Sequence, residues 1–350
     1  MRSSLQSLPA QPCDLLSTEQ LKFAWLRGEQ LETGDPTLAR TPFSLSKTFY
    51  PLGFPVTVST NCEEVLTCAE ESWGSFTKLF DTEPVQINIG VASTDSLLCP
   101  PTPVCRVRDH LLTNIADGEN FAISDHSLGY SLVWITTAAL NHRDYFRYFF
   151  LESCAMGGIS GRSATGIHGA CVSLNGTGIL LCGDSGAGKT TLSYACARAG
   201  FTYVTDDGSY LLHGRDDRLV VGNCCQVRFR PTAEALFPEL RGRDLMERAG
   251  VGKPSVELST FDIAQIATSN TAHVQRIVFL KRNVATQELA PFPTPVARMY
   301  MMQQILCMPF TAQNHSEAID DLLRLGVYEL RYNDLDWAVE RLETLAREGC

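Results

Sequence analysis

The chain has 350 residues, 44% hydrophobic and 19% charged, enough apolar material for about two globular domains at roughly 150 residues each, which excludes a largely disordered polypeptide. With 39 acidic against 29 basic residues its formal charge is −10, a sign that repels nucleic acid and anionic membrane, and no block of like charges offsets it. No uncharged apolar run nears the roughly 20 residues that cross a bilayer, and residues 1–16, polar and proline-containing, lack the apolar stretch of a signal peptide. The thirteen cysteines are odd in number, scattered and without a C-x-x-C pair. They fit small buried hydrophobes in the reducing cytoplasm better than disulfides or metal ligands.

Residues 1–16 are expected to form a loose arm. Ser17-Thr18-Glu19-Gln20 forms a capping box for a helix running to about Leu31. Prolines 36, 42, 51 and 55 interrupt regular structure before a short strand over Val56–Ser59, and Asn61 is placed to cap a helix ending at Gly74. Val85, Ile87, Ile89 and Val91 alternate with polar or small residues, a half-buried strand. Strands near 104–107, 120–123 and 130–136 then suggest an antiparallel meander beside two helices. An aromatic-rich helix from Asp144 is expected to stop at Gly157-Gly158, which sets a boundary between an α+β domain, 1–157, and a second domain, 158–350.

In the second half, two apolar runs, 170–174 and 178–182, flank Asn175-Gly176, a strong hairpin signal. A helix from Lys189 is closed by Gly200 and a strand follows over 201–205. A second hairpin is expected over 210–213 and 219–221, helices over 232–240 and 244–249, and a strand over 275–282. Helices over 295–308 and 316–325, a strand over 327–332 and a helix over 335–347 begun by Asn333 or Asp334 complete the chain. Alternating helices and strands make this half α/β around a mixed sheet.

Gly183-Asp184-Ser185-Gly186-Ala187-Gly188-Lys189-Thr190 matches G-x-x-x-x-G-K-[ST] between a strand and a helix. The glycines let backbone N–H groups turn toward phosphate oxygens, Lys189 reaches the outer phosphates, and the Thr190 hydroxyl is a ligand for Mg²⁺; Thr191 follows on the same first turn. These residues imply nucleotide binding, with ATP and Mg²⁺ as cofactors. Because the protein is itself acidic, the attraction for a triphosphate must be local, and affinity should depend steeply on Mg²⁺. Asp206-Asp207 lies only seventeen residues after Lys189, so one helix and one strand return two carboxylates to the phosphate site. Consecutive side chains there point in different directions, one suited to the metal and one to the proton of an attacking hydroxyl, in either order. His168, ahead of the hairpin, is a candidate to orient or relay a proton to one of them. Arg228 and Arg230 alternate on one strand-like segment, where they suit phosphate or an acidic substrate group, or simply a solvated face.

His168-Gly169, the hairpin, Gly183-Asp184-Ser185-Gly186-Ala187-Gly188-Lys189 and Asp206-Asp207, in this order and spacing, resemble the catalytic core of HPr kinase/phosphorylase. The likeness covers about 45 residues and extends weakly to the 326–332 stretch. It implies a P-loop in a mixed sheet of the kind shared with phosphoenolpyruvate carboxykinase. By resemblance Asp206 would take the hydroxyl proton, Asp207 and Thr190 would hold Mg²⁺, and His168 would support the aspartates. The chain departs from the family pattern at Thr190-Thr191, in the stretch Gln226–Pro231, and over the first 150 residues.

The resulting expectation is a cytoplasmic ATP- and Mg²⁺-dependent kinase that transfers the γ-phosphoryl group to a serine-type hydroxyl of a protein, peptide or small molecule, with residues 1–157 selecting the acceptor. Self-association is left open, and neither nucleic acid nor membrane is an expected partner. Two alternatives stand beside it: a nucleotide-gated binding protein with little transfer activity, and a carboxykinase-like enzyme on a small carboxylic acid.

Overall fold

The computed structural model describes residues 17–28, 42–243, 254–263, 266–282, 284–306 and 308–348. The expected arm over 1–16 and the helix over 244–249 lie outside them. Two compact units divide the chain, residues 1–106 with 111–155, and 107–110 with 156–350.

The first unit begins with helix α1 (Thr18–Leu26), whose capping box forms as expected: Gln20 N–H donates to Ser17 Oγ while Ser17 N–H donates to Gln20 Oε1. Its sheet contains β1 (Leu45–Phe49), β2 (Val56–Thr60), β3 (Val85–Ala92), β4 (Val104–Arg108), β5 (Leu111–Ile115), β6 (Phe121–Asp125) and β7 (Tyr130–Thr136), in the spatial order β1-β2-β3-β7-β6-β5-β4. The helices are α2 (Glu63–Trp73), α3 (Thr137–Asn141) and α4 (Arg143–Phe146), with a π-helical turn over Arg147–Glu152, after which α5 (Ser153–Arg162) carries the chain from the first unit into the second.

Three expectations change here. The strands from β5 to β7 do form an antiparallel meander, but β3 runs parallel to both β2 and β7, so the sheet is mixed. Asn61 does not cap α2: its side chain spans to β3, donating to Val91 O and accepting from Val91 N–H, and Cys62 holds the cap position without a side-chain bond. Helix α5 runs through Gly157-Gly158 to Arg162 instead of stopping there. Two glycines weaken a helix by about 1 kcal/mol each, but Cys154, Ala155 and Ile159 are fully buried along it, and that burial outweighs the propensity.

The second unit contains β8 (Ala164–His168), β9 (Ala170–Leu174), β10 (Thr177–Cys182), α6 (Lys189–Arg198), β11 (Thr202–Thr205), β12 (Gly208–Leu212) and β13 (Leu219–Gly222). After these come β14 (Gln226–Phe229), β15 (Val256–Ser259), β16 (Ala267–Thr268), β17 (Thr271–Arg282), β18 (Glu288–Pro291), α7 (Thr294–Gln304), α8 (Ala312–Leu322), β19 (Val327–Tyr332) and α9 (Leu335–Arg347). Residues 232–240 form two short 3₁₀ turns, each opened by proline, in place of the expected helix. The fold is α/β with mixed sheets.

The long strand β17 organises the unit. Its first residues pair antiparallel with β13, its last six pair parallel with β19, and β10 lies parallel along its other edge. From β10 the sheet continues through β9 to β11, while from β13 it continues through β12 to β8. One core packs Ile167, Leu211 and Val220 from the β8–β12–β13 side with Leu180, Val204 and Ile277 from the other, together with Met301 and Ile319 of α7 and α8. A second core lies on the opposite side of β9, β10 and β17, where Leu192 of α6 meets Ala338 and Leu342 of α9. The chain crosses between the two groups of strands at Gly169, between β8 and β9, and again at Asp206-Asp207, between β11 and β12.

Candidate active site

Register explains why the sequence-distant candidates meet. Asn175 and Gly176 both adopt positive φ, 51° and 87°, and close the β9–β10 hairpin, which sets Leu181 opposite Ala170. On the other side of β9, Cys171 faces Thr205. The end of β10, from which the Gly183–Gly188 loop departs, the start of β9 and the end of β11 therefore lie at the same end of the sheet. Ser209 Oγ donates to Gly169 O at 2.9 Å, tying the two crossings together, and His168 lies opposite Gly208 in the β8–β12 ladder.

The loop from Gly183 to Gly188 has positive φ at all three of its glycines, 140°, 91° and 101°. A Cβ at Gly188 would lie 2.4 Å from the Tyr332 hydroxyl and 2.9 Å from Arg282 Cδ, so glycine is required for space as well as for conformation. The loop is closed by Ala187 N–H donating to Asp184 O, and braced from β19 by Tyr332 O–H donating to Ala187 O at 3.3 Å. Lys189 is buried, and its ammonium donates to Gly183 O at 2.7 Å and Asp184 O at 3.4 Å. Burial pulls its pKa down, and the nearby Asp207 charge is the strongest opposing influence. Asp184, Ser185 and Gly186 are exposed at the tip, and Thr190 and Thr191 are half-buried on the first turn of α6.

The two aspartates have opposite surroundings. Asp206 is buried; its Oδ1 faces the Tyr203 hydroxyl at 3.2 Å and its Oδ2 accepts from Arg228 N–H at 3.2 Å. Burial pushes its pKa up to about 6. The Tyr203 hydroxyl has one proton and also lies 3.0 Å from Gln226 O. Below about pH 6 a protonated Asp206 resolves that competition, because it donates to the tyrosine oxygen and frees the tyrosine proton for Gln226; above it the carboxylate is ionised and accepts. Asp207, by contrast, keeps 72% of its side chain exposed, and its Oδ1 lies 3.2 Å from His168 Nδ1. Burial lowers the His168 pKa, Asp207 partly restores it, and Lys189 lowers it further.

Arg228 and Arg230 are exposed on β14 and just beyond it, flanking buried Phe229. The Arg228 side chain meets Glu257 at 3.3 Å, so its link to the site runs through its backbone N–H on Asp206. Three residues absent from the sequence reading also belong to the site: Tyr203 beneath Asp206, Tyr332 behind the loop, and Tyr300 of α7, which bonds to the Gly183 backbone and whose hydroxyl is pushed up to about 12 by burial. Tyr203 stands three residues before Asp206 on a short strand, a spacing that is legible once the strand end is recognised as a site.

Among the described residues no three His, Cys, Asp or Glu side chains gather to hold a metal. The Thr190 hydroxyl with one carboxylate is a donor set that fits Mg²⁺, which takes its remaining ligands from water and phosphate oxygens. The described cysteines are free thiols, most of them buried, with Cys99 and Cys105 exposed. Among the described residues no helix is long and apolar enough to cross a membrane.

No family model matches the chain. Two curated proteins, the HPr kinase/phosphorylases of Limosilactobacillus reuteri (strain DSM 20016) and Limosilactobacillus reuteri subsp. reuteri (strain JCM 1112), are each 34% identical to it over 61 residues, which is 17% of this chain and 19% of theirs. The chain thus spans only 19% of the length of these relatives, and over that segment it is HPr kinase-like. A solved structure, the Hpr(Ser) kinase/phosphatase from Coxiella burnetii, covers 53% of this chain and 99% of its own at 14% identity, with a TM-score of 0.27.

Proposed function

We propose that residues 158–350 form an ATP- and Mg²⁺-dependent phosphotransferase that moves the γ-phosphoryl group to a serine-type hydroxyl, and that residues 1–157 select the acceptor. The observation that carries this reading is the contact of His168 with Asp207 beside a phosphate loop whose lysine feels the same carboxylate. The 61-residue likeness to HPr kinase/phosphorylases supports the reaction class.

In this reading the backbone N–H groups of the loop and Lys189 bind and orient the phosphates. Lys189 exchanges its bonds to Gly183 O and Asp184 O for phosphate oxygens. Thr190 and one aspartate hold Mg²⁺, which when bound neutralises charge on the phosphate oxygens. Of the two orders left open by the sequence, the geometry favours Asp207 as the base. It is the accessible carboxylate, and the neutral His168 ring, donating from Nδ1, fixes its orientation. Asp206, held from below by Tyr203 and Arg228 N–H, then stands on the metal side.

The test is incubation of the protein with [γ-³²P]ATP, Mg²⁺ and extract proteins, peptides or free serine. Label transfer that disappears in Asp207→Asn and Lys189→Ala is expected. Transfer that persists undiminished in both variants would refute the assignment.

A further inference from the structure

We infer that Arg282 is a phosphate-binding residue of this site, an inference that rests on the nucleotide-binding reading above. Arg282 ends β17, three residues beyond Phe279, the last position at which that strand pairs with β10. The overhang carries it past the strand from which the phosphate loop leaves and alongside the loop itself. Its Cδ lies 2.9 Å and its Nη1 3.7 Å from where a Cβ on Gly188 would stand, so the side chain runs along the loop at the residue just before Lys189.

The strand alternation makes this placement specific. Arg282 is in register with Tyr332, which donates to the loop carbonyl of Ala187, whereas the preceding Lys281 is in register with Arg331 and points to the other face. The two arginines differ in their company. Arg331 is paired with Glu329 and Glu288. Arg282 is exposed and has no carboxylate partner among the described residues, and its charge is felt by the Tyr332 hydroxyl. An unneutralised guanidinium at the rim of an anion-binding loop, in a protein of net charge −10, is placed for a ligand that carries several negative charges. Its planar fork suits phosphate oxygens held at the Gly188 end of the loop, where it adds a second cation to that of the buried Lys189.

Calorimetric titration of the full-length protein with Mg·ATP, with pyrophosphate and with adenosine tests this. Arg282→Ala is expected to weaken Mg·ATP and pyrophosphate about ten- to a hundredfold, the loss expected for a charge-assisted hydrogen bond, and to leave adenosine unchanged. Arg282→Lys should recover part of the loss, and Lys281→Ala should bind as the wild type does. Melting of the ligand-free variants separates a folding defect, which would lower the melting temperature and weaken all three ligands together, from loss of a phosphate contact. Wild-type-like binding of Mg·ATP and pyrophosphate by Arg282→Ala, or equal weakening of all three ligands, would overturn the inference while leaving the nucleotide-binding reading intact. Failure of the wild type to bind either phosphate ligand would overturn both.

Discussion

The Nδ1 of His168 lies 3.2 Å from Asp207, while Asp206, one residue earlier, turns inward to Tyr203. Two neighbouring carboxylates in the crossing between β11 and β12 are thereby given different chemistry by what lies against each. If the pair acts as a unit, His168→Ala should lower the transfer rate about a hundredfold or more with little change in KM for ATP. The double variant with Asp207→Asn should then be little worse than Asp207→Asn alone. Fully additive losses would show that the two side chains act separately.

The lowered pKa of His168 carries its own expectation. Burial favours the neutral ring, so lowering the pH toward the ordinary imidazole value of 6.5 should leave the ring uncharged, with protonation setting in only below it. A pH–rate profile should therefore lack an imidazole limb at 6.5 and fall on the more acidic side. NMR titration of the imidazole would give the same midpoint.

Asp206 should limit stability as well as serve the site. Its carboxyl is held near pKa 6 against 3.8 in the unfolded chain, so the folded state binds the extra proton. Stability from this group is complete below about pH 4 and is lost as the pH rises through 6. Asp206→Asn removes that dependence. The stability of the variant relative to wild type is expected to grow by about 2 kcal/mol between pH 4 and pH 7, even as transfer is abolished. Denaturant unfolding at the two pH values measures it, and a constant difference would contradict the buried, proton-binding description.

Gly188→Ala meets both the Tyr332 hydroxyl and a φ of 101°. A loss of about 1–3 kcal/mol is expected, together with loss of nucleotide binding. Combining it with Tyr332→Phe should restore part of the stability, because the clash is relieved while the backbone conformation remains unfavourable. Thermal unfolding of the three variants resolves the two contributions.

At the far end of the chain, Asp334 accepts from Trp337 N–H and opens α9, whose Leu342 packs in the same core as Leu192 of α6. Asp334→Ala should cost about 1 kcal/mol and lower the melting temperature by a few degrees, with nucleotide affinity unchanged. A drop in affinity without a drop in melting temperature would argue against a purely capping role.

What the sequence revealed were features whose physics is local. The phosphate loop is written in fixed glycines and a lysine, the β9–β10 hairpin in Asn175-Gly176, and the helix starts in Ser17 and Asp334. Features settled by distant partners were hidden. β8 falls in a stretch rich in glycine, serine and threonine with little strand propensity, and it is a strand because Ala164, Thr165 and Ile167 bury themselves beside β12. Asn61 had a capping residue's chemistry but spent both hydrogen bonds on Val91, thirty positions away. The parallel placement of β3 between β2 and β7 likewise has no signature in its alternation, since a period of two records which side is buried and not which strand lies alongside. At the site, Asp206 and Asp207 are indistinguishable in sequence. They are separated by Tyr203 beneath one and His168 beside the other.

The parallel seam between β10 and β17 also governs when the phosphate loop can exist during folding. The β9–β10 hairpin can close early, because its two strands are joined by a two-residue turn, but its partner β17 arrives from far along the chain: Gly178 N–H donates to the side chain of Gln275, 97 residues later. Until that large loop closes, Gly188 has neither Tyr332 nor Arg282 behind it, and the motif is a flexible glycine-rich turn. A ribosome-bound chain ending before residue 271 would therefore carry every letter of the nucleotide motif and bind nucleotide poorly. Competence for ATP should appear abruptly, only after β17 and β19 have been synthesised.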